Sequence, residues 1–92
     1  MDRLSGERNA AMFNEAEKKN LKIGFKEVMN LISQGCAVRV VVAQDCEDKI
    51  KVPVSQAAES AGIKTEYAQT MHELGKACAI DVGASCAAVV KF

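Results

Sequence analysis

Apolar positions recur along the chain at two spacings, which predict alternating helices and strands. Val28, Leu31 and Ile32 follow the i, i+3, i+4 spacing of one helix face, which predicts a helix of about ten residues beginning at Gly24. Gly35 suits the left-handed cap of that helix. Three further helices are predicted. The first is Arg8–Lys19, with Ala11, Met12 and Ala16 on its apolar side. The second has Pro53 in its first turn and ends at Gly62, and its residues Val54, Ala57, Ala58 and Ala61 repeat at helical spacing. The third follows the T-x-x-E capping box of Thr70 and Glu73, with Met71, Leu74 and Ala77 inward.

Runs of β-branched residues predict the strands. Ala37–Ala43 (AVRVVVA) is typical of a buried central strand, with Arg39 at the start or edge of the strand. Ile63–Ala68 predicts a short strand and Cys86–Phe92 an interior one, and a short strand around Leu21–Ile23 completes the sheet. This order predicts an α/β fold, a three-layer α/β/α sandwich with a mixed sheet of about four strands.

Composition narrows the class of protein. The 92 residues are 49% hydrophobic and 26% charged, which fits one domain over residues 1–92 and excludes a disordered chain. No apolar run approaches the length of a membrane span, and Met1–Ala10 is too polar for a secretory signal, so we expect a cytoplasmic protein. The formal net charge of zero argues against binding nucleic acid by charge alone.

Candidate catalytic groups are few. The only histidine is His72, and no two cysteines form a C-x-x-C pair, so we expect buried thiols rather than a metal site or a disulfide framework. Cys78 and His72 lie six residues apart, which places them on different faces of one helix, and the carboxylates of Asp45, Glu47 and Asp48 fit a solvated turn. We therefore expect no enzyme activity, no metal and no cofactor.

The segment from Lys18 to Lys26 is the one clear basic stretch, with four lysines and no acid. Gly24 directly before a helix leaves backbone N–H groups free, and Lys22 and Lys26 beside them complete a competent phosphate site. Glu27 either stabilises the helix dipole or accepts hydrogen bonds from the amino groups of bases. From the residues alone, this segment is either a capped helix or a contact for an anion or RNA.

Three blocks of sequence resemble a known family. They are K-I-G-F-K-E-V at 22–28, V-V-V-A-Q-D at 40–45 and L-G-K-A-C-A-I-D-V-G-A-S at 74–85. Their order and spacing are similar to those of the L-seven-Ae kink-turn-binding ribosomal-protein family, above all its short bacterial members. The resemblance covers roughly Leu21–Val90.

The resemblance implies an α/β/α sandwich that binds kink-turn RNA, an internal loop flanked by tandem sheared G·A pairs. Gly24 and Phe25 would open the helix that faces the RNA, and Lys26 and Glu27 would contact guanines. The loop that packs on the extruded nucleotide would consist of Ile80, Asp81, Val82 and Gly83. The expected partner is structured RNA, ribosomal or regulatory, with association to ribosomal particles.

The chain departs from the family pattern at several positions. Asn30 replaces a lysine one turn after the helix signature, Phe25 replaces a small residue, and Ala79 replaces the glycine of the loop. Ser33 and Gln34 stand where basic residues are common. Loss of a phosphate-contacting cation weakens RNA binding. The alternative hypothesis is a protein-interaction module that keeps this fold without RNA recognition, and a minor one is thiol or metal chemistry at the cysteines.

Overall fold

The computed structural model describes residues 13–91. Within them the chain forms four helices and four strands: α1 (Glu15–Lys19), β1 (Leu21–Ile23), α2 (Phe25–Gln34), β2 (Ala37–Ala43), α3 (Asp48–Ser60), β3 (Lys64–Ala68), α4 (Met71–Ala77) and β4 (Cys86–Val90). All four predicted strands are present, although β3 begins one residue later than predicted, at Lys64, and β4 ends at Val90. The predicted helical residues 8–12, including Ala11 and Met12, and the strand residue Phe92 lie outside the described residues.

The sheet is mixed and has the order β1-β4-β2-β3. β4 runs antiparallel to both β1 and β2, whereas β2 and β3 are parallel and joined through α3. Ile23, the last residue of β1, lies across from Ala87, near the start of β4. The end of β1, next to Gly24, and the beginning of β4 therefore lie at the same end of the sheet. We call this the Gly24 end of the sheet. Among the described residues, β1 and β3 are the outer strands.

Helices cover both faces of the sheet, as the predicted three-layer sandwich requires. Val40–Ala43 in β2 and Cys86–Val89 in β4 are buried at every position, which happens only when neither face meets water. α2 and α3 pack against each other and against the sheet, and α1 and α4 pack on the other side. Val28, Leu31 and Ile32 are buried as predicted, and Gly35 has the left-handed φ of 71°. No helix in residues 13–91 is both long enough and apolar enough to cross a membrane.

Arg39 lies inside the sheet rather than at its edge. It is the third residue of β2, an interior strand, paired with Lys64 on one side and Val89 on the other. Its guanidinium is 2.9 Å from the Glu17 carboxylate and 3.4 Å from that of Glu66. These two ion pairs compensate the cost of partly burying the Arg39 charge.

Three local predictions are wrong. α3 begins at Asp48, not at Pro53, because acidic residues at its start complement the helix dipole and Ile50 adds an inward apolar position one turn before Val54. Met71 is 37% exposed rather than inward, and the Ala16 side chain is exposed. α1 buries none of its own residues, since the sheet contact is made by Phe13 just before it.

Candidate functional site

The start of α2 is held at the Gly24 end by the sheet. Gly24 donates its N–H to the Cys86 carbonyl at 3.0 Å, which continues the β1–β4 pairing by one residue. Its φ of 108° and ψ of 154° form a backbone conformation that is open essentially to glycine alone. A glycine N-cap also has no side chain to accept from the first helical amides, so these amides remain available to an outside acceptor.

The side chains predicted at this helix start are accessible. Lys22, Lys26 and Glu27 are exposed, and the Phe25 ring is 37% exposed at the helix entrance. Asn30 is exposed one turn further along, on the side of the helix that Lys26 and Glu27 occupy. The structure therefore presents two cations, one carboxylate and one aromatic ring around the free amides of α2.

The loop 80–83 lies against α4, over Met71 and Gly75. Ile80 donates its backbone N–H to the Gly75 carbonyl at 3.1 Å, and Ala84 donates to the Met71 carbonyl at 3.0 Å. Gly75 is buried, and a Cβ there would overlap the Val82 carbonyl oxygen and lie 3.0 Å from the Gly83 Cα. The absence of a side chain at Gly75 is thus what lets the loop approach the helix.

The loop presents a mixed surface. Val82 is 70% exposed, Asp81 and Gly83 are exposed, and Ile80 is half-buried against the core. Core packing is therefore the structural role of Ile80, whereas Val82 offers its apolar side chain to a partner.

Asp45 caps the start of α4. Its carboxylate accepts the Met71 backbone N–H at 2.8 Å and so fixes the first residue of α4, on which the loop 80–83 rests. Sequence reasoning placed Asp45 in a solvated turn and gave Gly75 no role. A glycine inside a predicted helix, as in the L-G pair at 74–75, indicates a close contact. The sequence does not show that the contact is with the loop 80–83.

The helix start and the loop meet at the same end of the sheet. Ser85, which follows the loop, accepts the Ala43 N–H at 2.8 Å, and the next residue, Cys86, accepts from Gly24. The loop thus leads directly into the strand beside which α2 begins. All ten predicted site residues lie on these two neighbouring segments: Lys22, Gly24, Phe25, Lys26, Glu27, Asn30, Ile80, Asp81, Val82 and Gly83.

Ala79 carries backbone strain at the approach to the loop. Its φ is 63°, and it is the one non-glycine residue with positive φ among residues 13–91. We expect Ala79→Gly to raise the free energy of unfolding by about 0.5–1 kcal/mol, because relief of the left-handed strain exceeds the added entropy of the unfolded chain. Urea titration measures this change. Ala61→Gly, at a right-handed φ of −86°, is the control and should give no gain; an equal gain in both variants would contradict the strain at Ala79.

The four cysteines are free thiols, and Cys46, Cys78 and Cys86 are buried. Burial raises the pKa of the Cys78 thiol to about 11, and desolvation also raises the pKa of Cys46 and of Cys86. The thiolate is the reactive form, so these three side chains are protonated at neutral pH. Within residues 13–91 no group of three or more His, Cys, Asp or Glu side chains is arranged to hold a metal ion.

Comparison with known proteins identifies the family. The sequence profile described as the Ribosomal protein L7Ae/L30e/S12e/Gadd45 family matches residues 9–92. The chain belongs to this family. The family resemblance carried by the blocks at 22–28, 40–45 and 74–85 is thereby confirmed.

Several L7Ae-family relatives align over most of the chain. An "RNA-binding protein" of Caldanaerobacter subterraneus subsp. tengcongensis is 38% identical over 68 residues, which are 74% of this chain and 83% of that protein. Large ribosomal subunit protein eL8 of Haloquadratum walsbyi is 31% identical over 71 residues, 76% of this chain and 59% of that protein.

Solved structures share the fold. The structure described as Giardia lamblia 15.5kD RNA binding protein superposes with a TM-score of 0.77 at 26% identity, and the match covers 100% of this chain and 78% of that chain. A protein with unknown function from Bacillus halodurans C gives a TM-score of 0.77 at 17% identity, over 88% of this chain and 81% of that chain, and supports the fold alone.

Proposed function

We propose that the chain is a non-catalytic RNA-binding protein of the cytoplasm, ribosomal or ribosome-associated, that recognises a kink-turn internal loop through 24–27 and 80–83. One observation carries this proposal: an uncapped helix start with accessible amides and lysines stands beside an exposed loop that is fixed in place. The printed names of the relatives, RNA-binding protein and ribosomal protein eL8, support the same class of partner.

The helix start supplies the attraction for phosphate. The free amides of α2 and its dipole favour an anion, and Lys22 and Lys26 add two mobile positive charges. A ten-residue helix is long enough for its dipole to act at the first turn. These interactions hold any RNA backbone and carry no sequence information.

Specificity comes from Glu27 and from the loop. A carboxylate among lysines repels phosphate, so it contributes to RNA binding only by accepting hydrogen bonds from base edges such as guanine amino groups. Val82 is the exposed apolar side chain that covers an unstacked base, and Gly83 allows close approach beside it. Both features select an RNA that is already bent and open.

The departures from the family pattern set the strength of this binding. Asn30 removes one cation from the helix face next to Glu27, and Phe25 puts an aromatic ring where the family has a small residue. We therefore expect weaker binding and a smaller salt dependence than in a relative that retains the lysine.

The test compares two single substitutions on two RNAs. Glu27→Ala is expected to lower affinity for a kink-turn RNA about tenfold and to leave affinity for a G·A-disrupted RNA unchanged or higher, because it removes a base contact and a repulsive charge. Lys22→Ala is expected to weaken both complexes several-fold, since it removes a phosphate contact. Gel-shift titration at moderate salt measures both.

Glu59→Ala is the matched control. Glu59 is an exposed glutamate on α3, so its removal changes the net charge as Glu27→Ala does, away from the proposed site. If Glu59→Ala and Glu27→Ala behave alike, Glu27 reads no base. Equal binding of the wild-type protein to both RNAs would contradict kink-turn recognition itself.

The exposed Phe25 favours a second candidate function, a protein-interaction module on the same fold. An aromatic side chain at a helix entrance is a suitable anchor for a protein partner. Affinity purification with and without RNase separates the two: RNase-sensitive association with ribosomal particles supports RNA binding, and RNase-resistant pairing that Phe25→Ala abolishes supports the alternative.

A further inference from the structure

The lysines of the described chain fall into two groups by their surroundings. Lys49, Lys51 and Lys64 each have a carboxylate within 4 Å, at 3.5, 3.9 and 3.4 Å. Among residues 13–91, no ion pair joins the remaining lysines to an acid: Lys18, Lys19, Lys22, Lys26, Lys76 and Lys91. All six are exposed, so their charges are available to an anionic partner.

Most of the unpaired lysines lie along one side of the molecule. Lys22 projects from the outer strand β1, between the half-buried Leu21 and Ile23. Lys18 and Lys19 end α1 just before that strand. Lys91, which directly follows β4, lies near these lysines.

The position of Lys91 follows from the register of β1 and β4. Leu21 lies across from Val89, and the Val90 N–H continues the ladder to the Asn20 carbonyl at 2.7 Å. Lys91 follows Val90 and Lys19 precedes Asn20, so both lysines lie at the end of β1 opposite Gly24. From Leu21 to Gly24 the chain advances about 10 Å at the rise of a strand, so these lysines are separated from the Gly24 end by the length of β1.

The dipole of α1 explains only part of this arrangement. Cations in the last turn of a helix are stabilised by its carbonyl end, which is a structural reason for Lys18 and Lys19. It does not account for Lys91, which comes from another element, or for Lys22. The opposite outer strand, β3, differs in that its lysine is paired: Lys64 lies 3.4 Å from the Glu66 carboxylate.

We infer that the lysine edge (Lys18, Lys19 and Lys91) is a second RNA-contact surface that holds the phosphate backbone of one stem of the bound RNA. This inference rests on the proposed function, because the proposed site at the Gly24 end determines where the RNA stem begins. Lys22 lies on β1 between that site and the lysine edge. Only the stem that leaves the kink along β1 meets these cations, so the two stems of the RNA are held unequally.

The experiment uses two kink-turn RNAs, each with one stem of ten base pairs and the other cut to three, so that the long stem lies on opposite sides of the kink. The Kd of each complex is measured between 50 and 300 mM KCl for the wild-type protein and for the Lys18→Gln/Lys19→Gln/Lys91→Gln variant. For one of the two RNAs, the variant should bind about tenfold more weakly at low salt, and the slope of log Kd against log salt should fall by about 2–3. For the other RNA both quantities should be unchanged.

The control is Lys49→Gln/Lys51→Gln/Lys64→Gln, which removes the same number of charges from lysines that already lie within 4 Å of a carboxylate. We expect it to change the salt slope by less than about 1 with either RNA. The proposal is overturned if the two triple variants behave alike, or if the lysine-edge variant affects both RNAs equally. Selective loss of binding to phosphatidylserine vesicles, with RNA binding intact, would assign the lysine edge to a membrane surface instead.

Failure of the proposed function gives a different result. In that case the wild-type protein binds the kink-turn and the G·A-disrupted RNA equally at every salt concentration. Failure of the lysine edge leaves that discrimination intact and removes only the dependence on which stem is long.

Discussion

Phe13→Ala is expected to lower the free energy of unfolding by about 3–5 kcal/mol, the range for removing a buried aromatic side chain. Phe13 is 2% exposed and is the largest of the fully buried side chains in residues 13–91. Its ring packs in the core directly before α1, a helix of five residues that buries none of its own side chains. The substitution therefore opens a cavity and removes the buried side chain that, within residues 13–91, anchors α1 to the core.

The loss extends to Arg39. The Arg39 guanidinium carbon lies 5.1 Å from the centre of the Phe13 ring, and the same guanidinium pairs with Glu17 of α1. This stack and ion pair join α1 to β2 across the sheet. With alanine at position 13, the cation loses the aromatic face that shields it, and the Arg39–Glu17 pair becomes more exposed to solvent screening.

Urea unfolding followed by far-ultraviolet circular dichroism measures the effect. Phe13→Leu should recover most of the stability, because it refills the cavity with apolar volume. Val38→Ala is the control: Val38 is 47% exposed, so the same kind of truncation should cost less than about 1 kcal/mol. A loss for Phe13→Ala no larger than that of the control would show that α1 is not anchored through this ring.

These contacts explain why periodicity predicts the sheet better than the first helix. Val40–Ala43 of β2 and Cys86–Val89 of β4 are buried on both faces, so these segments are continuous apolar runs that predict a strand without knowledge of the neighbours. The short helix α1 has no apolar stripe, and its attachment depends on one residue outside it. Arg39 also misleads a sequence reading, because its place inside the sheet depends on carboxylates 22 and 27 positions away in the chain, Glu17 and Glu66.

The candidate site likewise has one part that local sequence predicts and one part that it does not. The helix start can be predicted locally, since Gly24 before a helical pattern between Lys22 and Lys26 carries its own physical meaning. The loop 80–83 cannot, because apolar residues such as Ile80 and Val82 suit a core as well as a binding surface. The family resemblance pointed to this loop, and the contacts of Gly75 and Asp45 show how it is supported.

Gly75→Ala is expected to move that loop. The new Cβ would overlap the Val82 carbonyl oxygen, a backbone atom that cannot rotate away, so either the loop or α4 must shift. We expect a loss of about 3 kcal/mol in the free energy of unfolding, at the upper end for overpacking, because the obstacle is main chain. The displacement also breaks the Ile80–Gly75 hydrogen bond that closes the loop onto the helix.

The displaced loop should reduce affinity for kink-turn RNA at least tenfold in protein that is still folded, because Val82 no longer stands beside the start of α2. Gly35→Ala is the control: a left-handed φ of 71° costs it about 1 kcal/mol, yet no atom lies within 4 Å of the added Cβ and the site is untouched. Amide NMR spectra should place the changes of Gly75→Ala in residues 80–84 and in α4. If Gly75→Ala destabilises the protein but binds kink-turn RNA like Gly35→Ala, the fixed position of the loop does not determine recognition, and the helix start alone must account for it.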